Sequence, residues 1–200
     1  MGAVPTGFIA GKVLRGLDVR ALGSGSSGAT NVLRVFGARA GVVVFLIDLA
    51  KGAAAASLGL ALLGSPVAAV AAALSAVVGH NWPVYLRFRG GRGVTPFFGG
   101  LAVVSLPVSL IVALTGGAVA FAIIGLSRYV SLGSMVGTLT TAALMTLLFA
   151  WRVVPVELVV YAALGGLLIM FQHRGNIVRL ISGRERKLGR RDKAPPPEMG

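Results

Sequence analysis

Residues 22–34, LGSGSSGATNVLR, hold three glycines, four hydroxyl side chains (Ser24, Ser26, Ser27 and Thr30), the amide of Asn31 and the guanidinium of Arg34. Glycines let backbone N–H groups approach an anion, hydroxyls donate to oxyanions, and arginine supplies permanent charge in a planar fork that matches phosphate. Those are phosphate-binding tools. A second stretch, residues 79–93 (GHNWPVYLRFRGGRG), places Arg92 between Gly91 and Gly93. Its composition suits phosphate, but it lacks the GxxxxGK[ST] spacing of a nucleotide loop, so ATP is not predicted. The third stretch, residues 172–185 (QHRGNIVRLISGRE), brings His173, Asn176 and Leu180 near one face if the preceding helix continues past Phe171. A histidine one turn from an amide can activate and orient a hydroxyl near neutral pH.

Each stretch also has a plainer reading. Glycine and serine between helices most often make only a loop. Basic loop residues, here Arg39, Arg87, Arg89 and those after Arg184, commonly signal topology or meet anionic lipid. What lifts the functional reading is the frame that would hold all three stretches on one side.

That frame is a membrane. The chain has 56% hydrophobic and only 12% charged residues, whereas a soluble globule carries about a quarter. The apolar runs are long and do not alternate, which predicts helical spans rather than a barrel. They fall at residues 2–14, 38–63, 67–78, 94 to about 105, about 108–125, 131–150 and 155–171, with turns near Gly64, Ser65 and Pro66, near Pro107, and over residues 151–155. The fold expected is all-α and polytopic, with about seven transmembrane helices. The first run is short, and the N-terminus is expected to be abbreviated. No cleavable signal peptide is expected.

The net charge of +13 suggests nucleic acid until its placement is considered. Arg15, Arg20, Arg34, Arg39, Arg87, Arg89, Arg92, Arg128 and the basic C-terminus flank alternate connections, while the opposite connections hold only Arg152. The positive-inside rule then puts the N-terminus outside, the C-terminus in the cytoplasm and all three polar stretches on the cytoplasmic face. Nucleic acid is not an expected partner. Residues 1–187 form one domain, and 188–200 a basic, proline-rich tail expected to be disordered. Asp48 and Lys51, three apart inside a span, read as a self-neutralised structural pair, and His80 as a helix-end cap. With no cysteine, and no cluster of carboxylates and histidines on the cytoplasmic side, neither a metal nor a cofactor is predicted.

In combination and order, GAVPTGF, DVRALGSGSSGATNVLR, GHNWPVYLRFRGGRGV, SRYVSLGS and HRGNIVRLISGRE resemble the bacterial acyl-phosphate:glycerol-3-phosphate acyltransferases, seven-span inner-membrane enzymes that start phospholipid synthesis. The resemblance runs from Gly2 to about Glu185. It implies that Ser24 and Arg34 serve catalysis and phosphate binding, with Thr30 and Asn31 lining the same pocket. It assigns Gly90, Gly91, Arg92 and Gly93 to the phosphate of glycerol 3-phosphate, with a contact from Ser131 or Ser134. His173 and Asn176 then sit beside the reacting hydroxyl, and Glu185 is structural. The chain departs from the family pattern at Ser26, where asparagine is usual, and at Arg92, where lysine is usual; arginine keeps the charge but replaces a point donor with a planar fork.

The reaction implied is acyl transfer from acyl phosphate to the sn-1 hydroxyl of glycerol 3-phosphate in the bacterial inner membrane, with the active site facing the cytoplasm. In such a reaction positioning alone can supply about 7–11 kcal/mol of the barrier. The rival reading is a small anion transporter or channel, with the glycine-rich loops as its filter and Asp48 and Lys51 as its gate. It would more naturally show internal repeats, and none is evident.

Overall fold

The computed structural model describes residues 1–189, and these are α-helical with short connections. The helices are α1 (Thr6–Arg15), α2 (Ala29–Phe36), α3 (Ala38–Leu63), α4 (Pro66–Asn81), α5 (Val94–Val104), α6 (Val108–Ser127), α7 (Val130–Ala150), α8 (Val156–Gln172) and α9 (Arg174–Ile181). Seven of them coincide with the apolar runs of the sequence; α2 and α9 are the short additions. Of the tail expected over residues 188–200, the part from 190 onward lies outside the described residues.

Length sorts these helices. Among the described residues, α3, α4, α6 and α7 are long and apolar enough to cross a membrane. The pair α8 and α9 adds a fifth candidate, bent by 59°. We read α8 as the crossing and α9, which carries Arg174, Asn176 and Arg179, as a polar helix turned aside beyond it. At about 1.5 Å per residue, the 10 residues of α1 and the 11 of α5 reach only about half of a bilayer core. The architecture is therefore an all-helical membrane bundle of four to five long crossings, with two half-length apolar helices packed among them.

Local chemistry accounts for the helix ends. Gly16, left-handed at φ 69°, closes α1 by returning its N–H to the Lys12 carbonyl. Gly64 ends α3 in the same way, and Pro66 opens α4 at a position where its missing N–H costs nothing. The turn around Ser105 and Pro107 separates α5 from α6, as expected from sequence.

In lipid, helices associate through close packing rather than hydrophobic expulsion, so small residues concentrate at the contacts. The tightest contact joins α3 to α5. A Cβ on Gly52 would collide with the Pro96 carbonyl, and one on Gly99 with that of Leu49. The core then gathers Val70, Ala73 and Val77 of α4, Phe97 and Leu101 of α5, Met145 of α7, and Leu158 and Tyr161 of α8. Tyr161 stacks on Phe97 at 5.2 Å and donates its hydroxyl to the Phe97 carbonyl at 2.8 Å, satisfying the one polar atom it buries. Outward, Leu62, Leu63, Leu114, Phe121 and Leu126 stand exposed, the surface a bilayer would cover.

One polar cluster interrupts this apolar interior. Lys51 donates to Asp48 Oδ1 at 2.7 Å, and Asp48 also accepts from the Thr6 hydroxyl at 3.0 Å. The expected pair is therefore present. It has further partners, since the Lys51 ammonium also reaches His80 Nδ1 at 2.7 Å and the Val4 carbonyl at 3.3 Å. All three ammonium protons are thus used, and the chain before α1 is tied to the middle of α3.

Removing one partner of this pair strands the other charge in the interior. Lys51→Met should therefore cost about 3–5 kcal/mol. Gly52→Val should also destabilise the bundle by forcing α3 from α5. Both are checked by melting temperature in detergent, against Leu126→Ala on the exposed face, which should change little.

Candidate active site

The polar stretches meet at one end of the bundle. Asn31 is the knot of the first: only 1% exposed, its Nδ2 donates to the carbonyls of Val19, Leu22 and Ser26 at 2.8–3.1 Å. Its Oδ1 accepts the Ser24 N–H at 2.8 Å. The chain folds this closely because Gly23, at φ 60°, lies where a Cβ would collide with Asn31 Oδ1. The Ser26 hydroxyl accepts from the Gly28 N–H at 3.2 Å, so it serves its own loop.

The second stretch is joined to the first. Ser27 N–H donates to the Gly90 carbonyl at 3.4 Å, and Arg20, clamped by Asp18 at 2.7 Å, reaches the Leu86 carbonyl at 3.0 Å. The N–H groups of Gly90 and Gly91 donate to the carbonyls of Asn81 and His80, at 3.1 and 3.0 Å. The two glycines thus seat the turn on the end of α4 and do not offer those donors to an anion; Arg92 supplies the charge. Burial lowers the Arg92 pKa to about 10, the charges of Arg179 and Arg34 adding to that effect and Glu185 opposing it. Arg92 therefore stays protonated at neutral pH.

The third stretch closes the site. The helix does not continue straight past Phe171; it breaks at His173, and both His173 and Asn176 remain buried at the bend. His173 Nδ1 lies 2.8 Å from the Ile169 carbonyl. A carbonyl can only accept, so Nδ1 carries the proton and Nε2 keeps a lone pair. Burial, joined by the Arg92 charge, lowers the His173 pKa to about 4, so the ring is neutral at pH 7.

Between these elements lies a cavity of about 110 Å³, lined by Gly23, Ser24, Arg34, Arg92, Asn176, Arg179, Glu185 and Arg186. Four of these, Ser24, Arg34, Arg92 and Asn176, are site residues expected from sequence. Thr30, Gly90, Gly91, Gly93, Ser134 and His173, also expected at the site, are not among its lining residues, and Asn31 braces its loop. Ser131 donates to Glu185 Oε1 at 2.7 Å.

Glu185 is the centre that sequence reasoning placed only as structural. Oε1 also accepts from Asn176 at 2.6 Å, and Oε2 from Arg179 at 2.8 Å. Burial works to raise its pKa, but the hydrogen bonds from Ser131, Asn176 and Arg179 outweigh it, so Glu185 titrates below the usual range. Arg179 was also missed as a lining residue, although it stands three positions after Asn176, on the same face of a helix. Past Glu185 the chain straps across the site. The Arg186 carbonyl accepts from Arg34 at 3.2 Å, and Leu188 N–H donates to the Arg128 carbonyl at 2.7 Å.

Fold and site together define an integral membrane protein with a cationic, hydroxyl-bearing pocket for an anion at one end of its helices. The family model described as glycerol-3-phosphate acyltransferase matches residues 1–183. A glycerol-3-phosphate acyltransferase 3 of Dehalococcoides mccartyi is 41% identical, covering 96% of this chain and 93% of its own. The glycerol-3-phosphate acyltransferase of Halalkalibacterium halodurans is also 41% identical, with 96% and 92% covered. Among solved structures, PlsY (YgiH), an integral membrane glycerol 3-phosphate acyltransferase, in its glycerol 3-phosphate form, superposes with a TM-score of 0.84 at 37% identity, covering 94% of this chain and 90% of that one. Its lysophosphatidic acid form gives 0.81 at 36% identity over the same shares. This chain belongs to the glycerol-3-phosphate acyltransferase family.

Because the folded-state pKa of Glu185 is depressed, its stabilising effect is present above the unfolded value near 4.5 and is lost as pH falls through the folded value. The melting-temperature gap between the native chain and Glu185→Gln should therefore be widest near pH 7 and shrink below about pH 4.5. A gap that does not change with pH would contradict the assignment.

Proposed function

We propose that the chain transfers a fatty acyl group from acyl phosphate to the sn-1 hydroxyl of glycerol 3-phosphate, releasing lysophosphatidic acid and inorganic phosphate. The acceptor and the class of reaction follow from the family. The observation that carries the reading for this chain is the pocket, where Ser24, Asn176 and the guanidinium groups of Arg34, Arg92 and Arg179 surround one small space. Two phosphates must be brought together in this reaction, and their repulsion is offset by fixed cations.

In this reading Arg92, carried by the 90–93 turn, holds the phosphate of glycerol 3-phosphate, and Arg34 faces the phosphate of the donor. Ser24 donates to the oxyanion that develops on the acyl carbonyl. His173 Nε2 accepts the hydrogen bond of the sn-1 hydroxyl, and Asn176 fixes its direction. The hydroxyl oxygen bonds to the acyl carbon as the bond from carbon to the phosphate oxygen breaks. The electron pair leaves with the phosphate. A ring whose pKa is held near 4 orients better than it abstracts, so the hydroxyl proton passes to the released phosphate. No covalent acyl-enzyme is needed, since an acyl phosphate already carries a good leaving group.

The same reading gives the topology: seven apolar helices, counting the half-length α1 and α5, with the N-terminus outside and the pocket on the cytoplasmic face of a bacterial inner membrane. The clustering of basic connections at the pocket end supports it. The anion-transporter reading is not favoured, because the relatives across nearly the whole chain carry acyltransferase names.

Incubating purified protein with acyl phosphate and labelled glycerol 3-phosphate should give acylated product and phosphate in equal amounts; glycerol phosphate flux into vesicles without product would overturn the assignment. His173→Ala, Arg34→Ala and Ser24→Ala should each lower kcat/KM by about 100-fold or more, the scale of a lost positioning or oxyanion contact. Arg174→Ala, on the exposed side of α9, is the appropriate control and should stay within about threefold. Arg179 lines the pocket and is unsuited to that use.

A further inference from the structure

The buried cluster of Thr6, Asp48, Lys51 and His80 lies outside the pocket, yet one of its members reaches the pocket's second wall. His80 stands in the last turn of α4, 8% exposed, with Nδ1 on the Lys51 ammonium. Lys51 can only donate, so Nδ1 accepts, and Nε2 lies on the far edge of the ring. That far edge of the ring faces Gly91. A Cβ built on Gly91 would collide with Nε2 and would stand 2.7 and 2.8 Å from Cε1 and Cδ2. The His80 carbonyl accepts the Gly91 N–H at 3.0 Å.

Main chain and side chain of one residue thus grip Gly91 together. The residue after Gly91 is Arg92, whose guanidinium lines the cavity. The ring cannot retreat, because Lys51 is itself fixed by Asp48 at 2.7 Å and Asp48 by Thr6 at 3.0 Å. A rigid line therefore runs from the first residue of α1, through the middle of α3, to the turn that carries Arg92. A mere helix cap would not need a charged pair behind it, and a self-neutralised pair would not need a histidine.

We propose that His80, braced by the Asp48–Lys51 pair, is a positioning residue that sets the Gly91–Arg92 turn and so sets the affinity of the site for glycerol 3-phosphate. Acyl phosphate, which faces Ser24 and Arg34 on the opposite wall, is not reached by this line. The inference rests on the assignment of the 90–93 turn to the phosphate of glycerol 3-phosphate, and the experiment separates the two.

The test uses the full chain in detergent, with KM measured separately for glycerol 3-phosphate and acyl phosphate. His80→Asn keeps an acceptor close to the Nδ1 position and removes the ring edge against Gly91. It should raise KM for glycerol 3-phosphate roughly tenfold, the scale of the packing lost when a buried side chain is shortened. It should leave kcat and KM for acyl phosphate within about threefold, with the melting temperature nearly unchanged. A folded variant with unchanged KM, or one that loses kcat and both KM values in parallel, would overturn the proposal.

Gly91→Ala supplies a second route if His80→Asn fails to fold. It should raise the same KM, and adding His80→Ala should recover part of the loss by making room for the new methyl; strict additivity would overturn the coupling. Arg92→Gln is the reference for the underlying assignment. If it raises KM while His80→Asn does not, the turn binds the phosphate and His80 does not position it. If neither moves KM, the assignment of the turn has failed.

Discussion

Like charges brought together in a partly dry place must be balanced, and this constraint shapes the working end of the molecule. Arg34, Arg92 and Arg179 line one small cavity, and the charges of Arg179 and Arg34 disfavour that of Arg92. In the described structure the balance comes from Glu185, which accepts from Arg179, Asn176 and Ser131 at once. In the proposed reaction substrate phosphate adds to that balance. A cluster of cations held by the fold before the substrate arrives needs no reorganisation when it binds, and preorganised charge of that kind contributes most to catalysis.

Holding such a cluster at the edge of a membrane requires firm loops. The backbone polar groups of the first loop are gathered by the single amide of Asn31, and those of the second are seated on the open end of α4. The two loops then bond to each other through Ser27 and Gly90. None of this involves a long apolar contact, and the apolar packing that supports it lies beneath, where glycines let α3 and α5 approach backbone to backbone. The buried Asp48–Lys51 pair links the two layers. Its cost in a low-dielectric interior is offset because every proton of the ammonium has an acceptor.

Much of this was legible in the sequence. Composition, the lengths of the apolar runs and the placement of basic residues gave the helical membrane class, the helix positions and the three stretches that would converge. These are properties of the chain read locally: a 20-residue apolar run has few ways to meet a bilayer, and glycine, proline and polar residues mark where it must stop. Ser24, Arg34, Arg92 and Asn176 were expected at the site from the phosphate-binding chemistry of their stretches together with what the family resemblance implies.

Only the tertiary structure decided which polar groups face the cavity and which hold the walls. Asn31 has the chemistry of a ligand contact and became the knot of a loop. Gly90 and Gly91 have the composition of an anion cradle but give their N–H groups to α4. Glu185 reaches Ser131 across 54 residues, and Arg34 reaches Arg186 across 152. Asp48 and Lys51, spaced to neutralise each other, gained His80 from another helix. Sequence determines what a side chain can do and, through helical period, which neighbours on its own helix it meets. Partners on other helices depend on how glycine-lined faces close against one another, a property of the packed bundle rather than of any segment within it.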